Sequence, residues 1–207
     1  MVGTVLAAAE EAINGSHQRC FILIAGLHHA RRNMAAGFCA FNDAGVLIET
    51  LRSEYEIKRI AYVDIDAHHG DGVFYAFEDD ADLCFVDIHE DGTHLYPGTG
   101  FADETGRGAA KGTKLNLSML PDANDADFLN IWPKAEAFIR AFKAEFIIFQ
   151  CGADSIAGDP ITGMQFTPKS YALATTSLCK IADEFSQGRI IALGACRTYE
   201  KSTARQG

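Results

Sequence analysis

Basic surplus is what this 207-residue sequence most plainly lacks: 18 lysines and arginines face 28 aspartates and glutamates, for a formal net charge of −10. Affinity for a phosphate backbone rests on clustered lysine and arginine, so direct nucleic-acid binding is not expected. Apolar runs are short, none approaching the ~20 residues that span a membrane, and the N-terminus lacks the basic-then-apolar order of a secretory leader. The six cysteines, Cys20, Cys39, Cys84, Cys151, Cys179 and Cys196, form no CxxC pair and sit mostly in apolar runs. That distribution argues against a disulfide framework and for free thiols in a reducing compartment. A soluble, cytoplasmic protein is therefore expected. With 48% hydrophobic and 22% charged residues, and no repeat, linker or low-complexity segment, the chain reads as one globular domain or part of one.

What is present is an alternation of helical and β-rich patterns. Helices are predicted over 2–15, 42–55 (capped by Asn42 or Asp43), 72–78, 125–142 and 168–186, and strands over 20–27, 59–67, 83–89, 114–120, 145–154 and 189–193. A Gly-rich loop runs from Asp91 to Gly112. Strands that alternate with helices give an α/β fold, a mainly parallel sheet held between helical layers.

In such a sheet, ligands collect beyond the carboxyl ends of the strands. The segment "AYVDIDAHHGDGV" crowds three aspartates and two histidines into one such end. Alternate residues of a strand share a face, so Asp64, Asp66 and His68 converge while Ile65 and Ala67 point away. Asp66 and His68 offer two ligands to one cation, and a catalytic zinc takes three protein ligands with a fourth position open. Asp154, past the apolar run "FIIFQ", is the best candidate for the third. The plainer alternative is that strand-end aspartates cap helices and a lone histidine satisfies a core hydrogen bond. Against it stand His28 and His29 in "GLHHA", a pair suited to general-base and electrostatic roles. Asp64 and Asp71 are carboxylates available to fix their tautomers.

These segments together resemble one family. "GLHHA", "GFCAFND", "VDIDAHHGDG", "YPGTG", "ETG" and "CGADSIAGDP" stand in the order and spacing of the histone deacetylases, including the bacterial acetoin-utilisation and acetylpolyamine deacetylases. The resemblance runs from about Gly26 to about Gly194. It implies an arginase/deacetylase-like three-layer fold and a Zn2+ ion on Asp66, His68 and Asp154, a set of oxygen and nitrogen donors that Fe2+ can also occupy. It also implies His29 as general base and acid, His28 as its electrostatic partner, and Asp64 and Asp71 as their respective orienting carboxylates. Gly37 and Phe38 resemble the wall of a narrow substrate tunnel, with Tyr96 as the facing aromatic. A structural K+ site is implied at Asp64 with the backbone of Asp66 and His68, where Asp87 replaces the serine of many relatives. Carbonyls near Phe77, Asp80 and Leu83 match a second monovalent-cation site.

The implied reaction is hydrolysis of an acylated amine, acetyl-lysine or acetylpolyamine, with no membrane or nucleic-acid partner. Two features depart from the family. Its oxyanion-binding tyrosine follows a "GGGY" turn, whereas here "ACRTY" precedes "EKSTAR", so that bulkier residues could misplace Tyr199. Family catalytic domains are also longer, so a domain truncated at both ends is expected, with apolar surface exposed where flanking segments would pack. Three readings follow, in this order: a metal-dependent deacetylase, a weakly active or non-catalytic remnant of one, and an arginase-like two-metal ureohydrolase. The last needs an aspartate where this chain has Gly70.

Overall fold

The computed structural model describes residues 1–194. Six strands form one wholly parallel sheet: β1 (Arg19–Ile22), β2 (Ile60–Asp64), β3 (Leu83–Glu90), β4 (Lys114–Met119), β5 (Phe146–Gln150) and β6 (Ile190–Leu193), in the spatial order β1-β6-β5-β2-β3-β4. The helices are α1 (Val2–Asn14), α2 (Asp43–Tyr55), α3 (Asp71–Ala76), α4 (Asp125–Phe142) and α5 (Pro168–Phe185). This is the α/β three-layer arrangement of the arginase/deacetylase-like fold.

The layers follow from strand alternation. Ile60, Tyr62, Phe146 and Ile148 face a core shared with Val5, Leu47 and Phe74 from α1, α2 and α3. Ala61, Val63, Ile147 and Phe149 face the opposite core, filled by Phe128 and Trp132 of α4 and Leu178 and Ile181 of α5. Because both faces are covered, β2 and β5 are buried at every position, as central parallel strands are. Burying one such Leu, Ile or Phe side chain contributes roughly 1.5–3 kcal/mol. Edge strand β1 is different: Phe21, Leu23 and Ile24, in it or just after it, are 60%, 72% and 73% exposed.

From β2 the chain winds outward through β3 and β4, then returns to place β5 on the other side of β2. The junction of β2 and β5 is thus the topological switch point, where a crevice opens beyond the strand ends. Register puts Asp64 level with Asp87 on one side and Gln150 on the other, a polar row across the three central strands.

Three strands end three or more residues earlier than their apolar runs predict, and local hydrogen bonds account for two of them. After β2, the Asp64 carboxylate accepts the Asp66 N–H (3.0 Å), and after β5 the Gln150 side-chain oxygen accepts the Gly152 N–H (2.7 Å). Such bonds compete with the ladder and turn the backbone out of the sheet. The run 20–27 leaves the sheet after Ile22 and turns at Gly26, which has φ +97°.

Candidate metal centre and active site

Asp66 and His68 follow β2 and Asp154 follows β5, so both halves of the switch point contribute. His68 Nδ1 lies 2.8 Å from Asp154 Oδ2 and 3.1 Å from Asp66 Oδ1. One ligand atom from each of the three falls within 4.8 Å of the others. Both carboxylates are buried and backbone-fixed: Asp66 Oδ1 accepts the His68 N–H (2.9 Å) and Asp154 Oδ1 the Ala67 N–H (3.0 Å). Two buried carboxylates so close hold an excess of negative charge. Burial and the charge of Asp66 push Asp154 up to about 7. Against burial, the charge of His28 and the hydrogen bond from His68 hold Asp66 well below the usual carboxylate range. His68, although buried, is raised to about 10 by its bonds to the two carboxylates. A divalent cation would take the place of that proton. One imidazole nitrogen and two carboxylates facing a cavity form a donor set that fits zinc with a position left open.

The tandem histidines follow β1 and meet this group. His28 Nδ1 donates to Asp64 Oδ2 (2.8 Å) and His29 Nδ1 to Asp71 Oδ1 (2.7 Å), leaving the two Nε2 atoms 3.2 Å apart. Burial would pull His28 down, but the charges of Asp64 and Asp66 hold it well above the ordinary imidazole value. Burial and the charge of His28 press His29 below that value. The two imidazoles are thus biased in opposite directions, His28 toward its protonated form and His29 toward its neutral one. Asp64 is raised to about 7, by burial offset by His28, and Asp71 is kept low, against burial, by His29 and Arg31.

His28, His29, Asp66, His68 and Asp154 line one cavity of about 550 Å3, together with Gly37, Phe38, Cys39 and Tyr96. The Tyr96 ring stands edge-on to His29, with centroids 5.0 Å apart, and Phe38 is fully exposed. Gly37 has φ +51°, and a Cβ there would lie 2.3 Å from His29 Cδ2. Only glycine lets this wall approach the histidine so closely. Tyr199 lies outside the described residues.

Residues 1–195 match the model of the histone deacetylase domain. The chain belongs to the histone deacetylase family. It is 37% identical over 195 residues to the acetoin utilization protein AcuC of Bacillus subtilis (strain 168), covering 94% of this chain and 50% of that one. A probable deacetylase of Archaeoglobus fulgidus is 32% identical over 193 residues, covering 92% of this chain and 53% of the relative. AcuC of Staphylococcus aureus (strain COL) is 33% identical over 195 residues. The chain spans about half the length of the curated relatives it matches.

Within this deacetylase-family chain, several residues that support the site had drawn no functional reading from the sequence. Asn42 is the cap of α2, accepting the Gly45 N–H, and its amide also donates to Ala30 O (3.0 Å). Asp43, read as a cap alternative, instead accepts the N–H groups of Gly26 and Leu27, both at 2.9 Å. The two adjacent residues grip the histidine segment from before and after. Gln150 donates to Asp66 Oδ2 (3.0 Å) and to Gly26 O (3.1 Å), tying a candidate metal ligand to the histidine loop. A polar residue closing the apolar run "FIIFQ" was the available signal. Arg31 Nη2 donates to Asp71 Oδ2 (3.2 Å). Asp87, which the family resemblance set at the potassium site, spends its oxygens on the Gly70 N–H and on His89 Nδ1, both at 2.8 Å. The second monovalent-cation position does not fit a free ion, because the Lys114 ammonium sits on the carbonyls of Asp80 and Leu83.

Proposed function

We propose that this chain carries the active centre of a metal-dependent deacetylase that hydrolyses the amide of an acylated amine, of acetyl-lysine or acetylpolyamine type. The observation that carries the reading is the convergence, on one cavity, of a three-ligand group and two histidines that are each tethered to a carboxylate and whose Nε2 atoms lie 3.2 Å apart. Zinc is the proposed ion on Asp66, His68 and Asp154, and ferrous iron suits the same nitrogen and oxygen donors. When bound, it supplies a Lewis acid that makes water nucleophilic at neutral pH and polarises the scissile carbonyl.

The protein's own groups do the rest. His29, neutral and tethered through Nδ1 to Asp71, takes the water's proton at Nε2 and later returns it to the leaving amine. His28 stays protonated on Asp64 and stabilises negative charge beside it. Gly37, Phe38 and Tyr96 line the path of the acyl-amine stem. Tyr199 is the proposed donor to the developing oxyanion, and losing one such donor costs ~10²–10³ in rate. A misplaced Tyr199 would therefore leave the remnant reading, metal bound with little turnover. A structural potassium ion is proposed at Asp64 and the backbone of Asp66 and His68. The ureohydrolase reading is disfavoured by crowding as well as by sequence, since a Cβ on Gly70 would lie 2.9 Å from Asp64 Oδ2.

A cytoplasmic setting is part of the proposal, supported by the free thiols of the described cysteines. No described helix is long and apolar enough to cross a membrane. The test is hydrolysis of a fluorogenic acetyl-lysine amide and of an acetylated polyamine by zinc-loaded protein. Turnover that disappears in Asp154→Ala supports the reading. Absence of turnover on both substrates with zinc bound favours the remnant.

A further inference from the structure

Lys114 opens edge strand β4, yet its side chain is among the largest fully buried ones. A buried lysine ordinarily needs a carboxylate, but the partners of this ammonium are neutral oxygens. Nζ donates to Leu83 O (2.6 Å), Asp80 O (2.8 Å) and Thr113 Oγ1 (3.0 Å). Thr113 Oγ1 donates its own proton to Ala110 O (2.8 Å), which turns a lone pair toward the ammonium. All three ammonium protons are thereby satisfied. The nearby Asp80 carboxylate is committed to Arg52 and to the Asp82 N–H.

Carbonyl and hydroxyl oxygens that replace a hydration shell are how proteins hold a desolvated monovalent cation. Here the cation comes on a covalent stem. Burial lowers this lysine to about 8, so it remains charged at neutral pH. The third carbonyl of the position implied by the family resemblance, Phe77 O, accepts the Asp80 N–H (3.1 Å).

We propose that Lys114 is a built-in monovalent cation: its ammonium fills the oxygen cage at Asp80, Leu83 and Thr113, so this site takes no ion from solution while the lysine is present. The cage pins the turn between α3 and β3 to the start of β4. That turn links the helix that begins at Asp71 to the strand that carries Asp87. Removing the stem while leaving the oxygens creates a site for potassium, rubidium or ammonium. The inference does not depend on catalytic activity.

The test uses the full chain as wild type, Lys114→Ala and Lys114→Met. Thermal melting is followed in chloride salts of potassium, rubidium, ammonium and choline at constant ionic strength. Lys114→Ala is expected to melt roughly 5–10 °C below wild type in choline, as a 200-residue protein does on losing several buried hydrogen bonds. Potassium or ammonium should restore most of that loss, beyond any shift the same ions give wild type. Lys114→Met, which keeps the stem and removes the charge, should be restored less. Titration with thallous ion should count one more monovalent site in Lys114→Ala than in wild type. Equal melting of Lys114→Ala in all salts, or the same cation increment in wild type, would overturn the proposal. So would failure of Lys114→Ala to fold in saturating potassium while Lys114→Met folds.

Discussion

Replacing Gly37 by alanine adds one methyl group at the place where the cavity wall meets the proposed base. The new Cβ would stand 2.3, 2.5 and 2.7 Å from His29 Cδ2, Cγ and Cβ. Carbon atoms rest at about 3.5–4.0 Å, so ring or backbone must yield by about 1 Å. The backbone resists as well, because φ is +51° and a left-handed non-glycine residue costs roughly 1–2 kcal/mol. His29 is held on its far side by Asp71, so moving the ring stretches a 2.7 Å bond. A displacement of about 1 Å at a reacting group costs ~10²-fold in rate. The expected result is a kcat about 100-fold lower on a fluorogenic acetyl-lysine amide, with KM changed little and zinc content unchanged. Melting should fall by a few degrees. A Gly37→Ala enzyme within threefold of wild-type kcat would refute the close-approach argument.

Phe38 should give effects of opposite sign. It is fully exposed at φ +60°, so Phe38→Gly is expected to raise stability by about 1 kcal/mol in denaturant titration while raising KM several-fold through loss of the tunnel wall. Equal KM values would remove Phe38 from the substrate path. Asp43→Ala abandons the buried backbone N–H of Gly26 and the part-buried one of Leu27, a loss of roughly 1–3 kcal/mol with kcat reduced, whereas Asp43→Asn keeps an acceptor and should recover most of the rate. Equal rates in the two variants would contradict the positioning role. Zinc held by the proposed Asp66, His68 and Asp154 site, which exists only in the folded chain, should at about 100 times its Kd add about 2.7 kcal/mol of stability relative to chelator-treated protein. His68→Ala should lose that increment, and a calorimetric scan reads both.

Much of this was legible beforehand because the chemistry is local in sequence. Asp64, Asp66 and His68 fall within five residues, so they stay close in space, although the chain leaves the sheet after Asp64 and it is the turn there, not strand alternation, that brings Asp66 and His68 to the cavity. The apolar runs located every strand, and α4 runs from Asp125 to Phe142 as its pattern predicts. Strand ends were less legible. The hydrogen bonds that stop β2 and β5 come from side chains that also read as strand residues. The supports of the histidine loop escaped notice for a different reason. Asp43 and Gln150 act on backbone atoms 17 and 124 residues away, a relation that no periodicity encodes. Lys114 escaped in the same way: a lysine at the start of a strand reads as a solvated end until its acceptors, 31 and 34 residues earlier, are seen to surround it.

The central claim is that Asp66, His68 and Asp154 hold one catalytic metal ion served by His29. The direct measurement is metal content after purification, paired with hydrolysis of a fluorogenic acetyl-lysine amide by wild type and His68→Ala. The account predicts about one zinc per chain with turnover in wild type, and loss of both in the variant. Turnover that survives in His68→Ala, or that proceeds in wild type freed of metal, would contradict it.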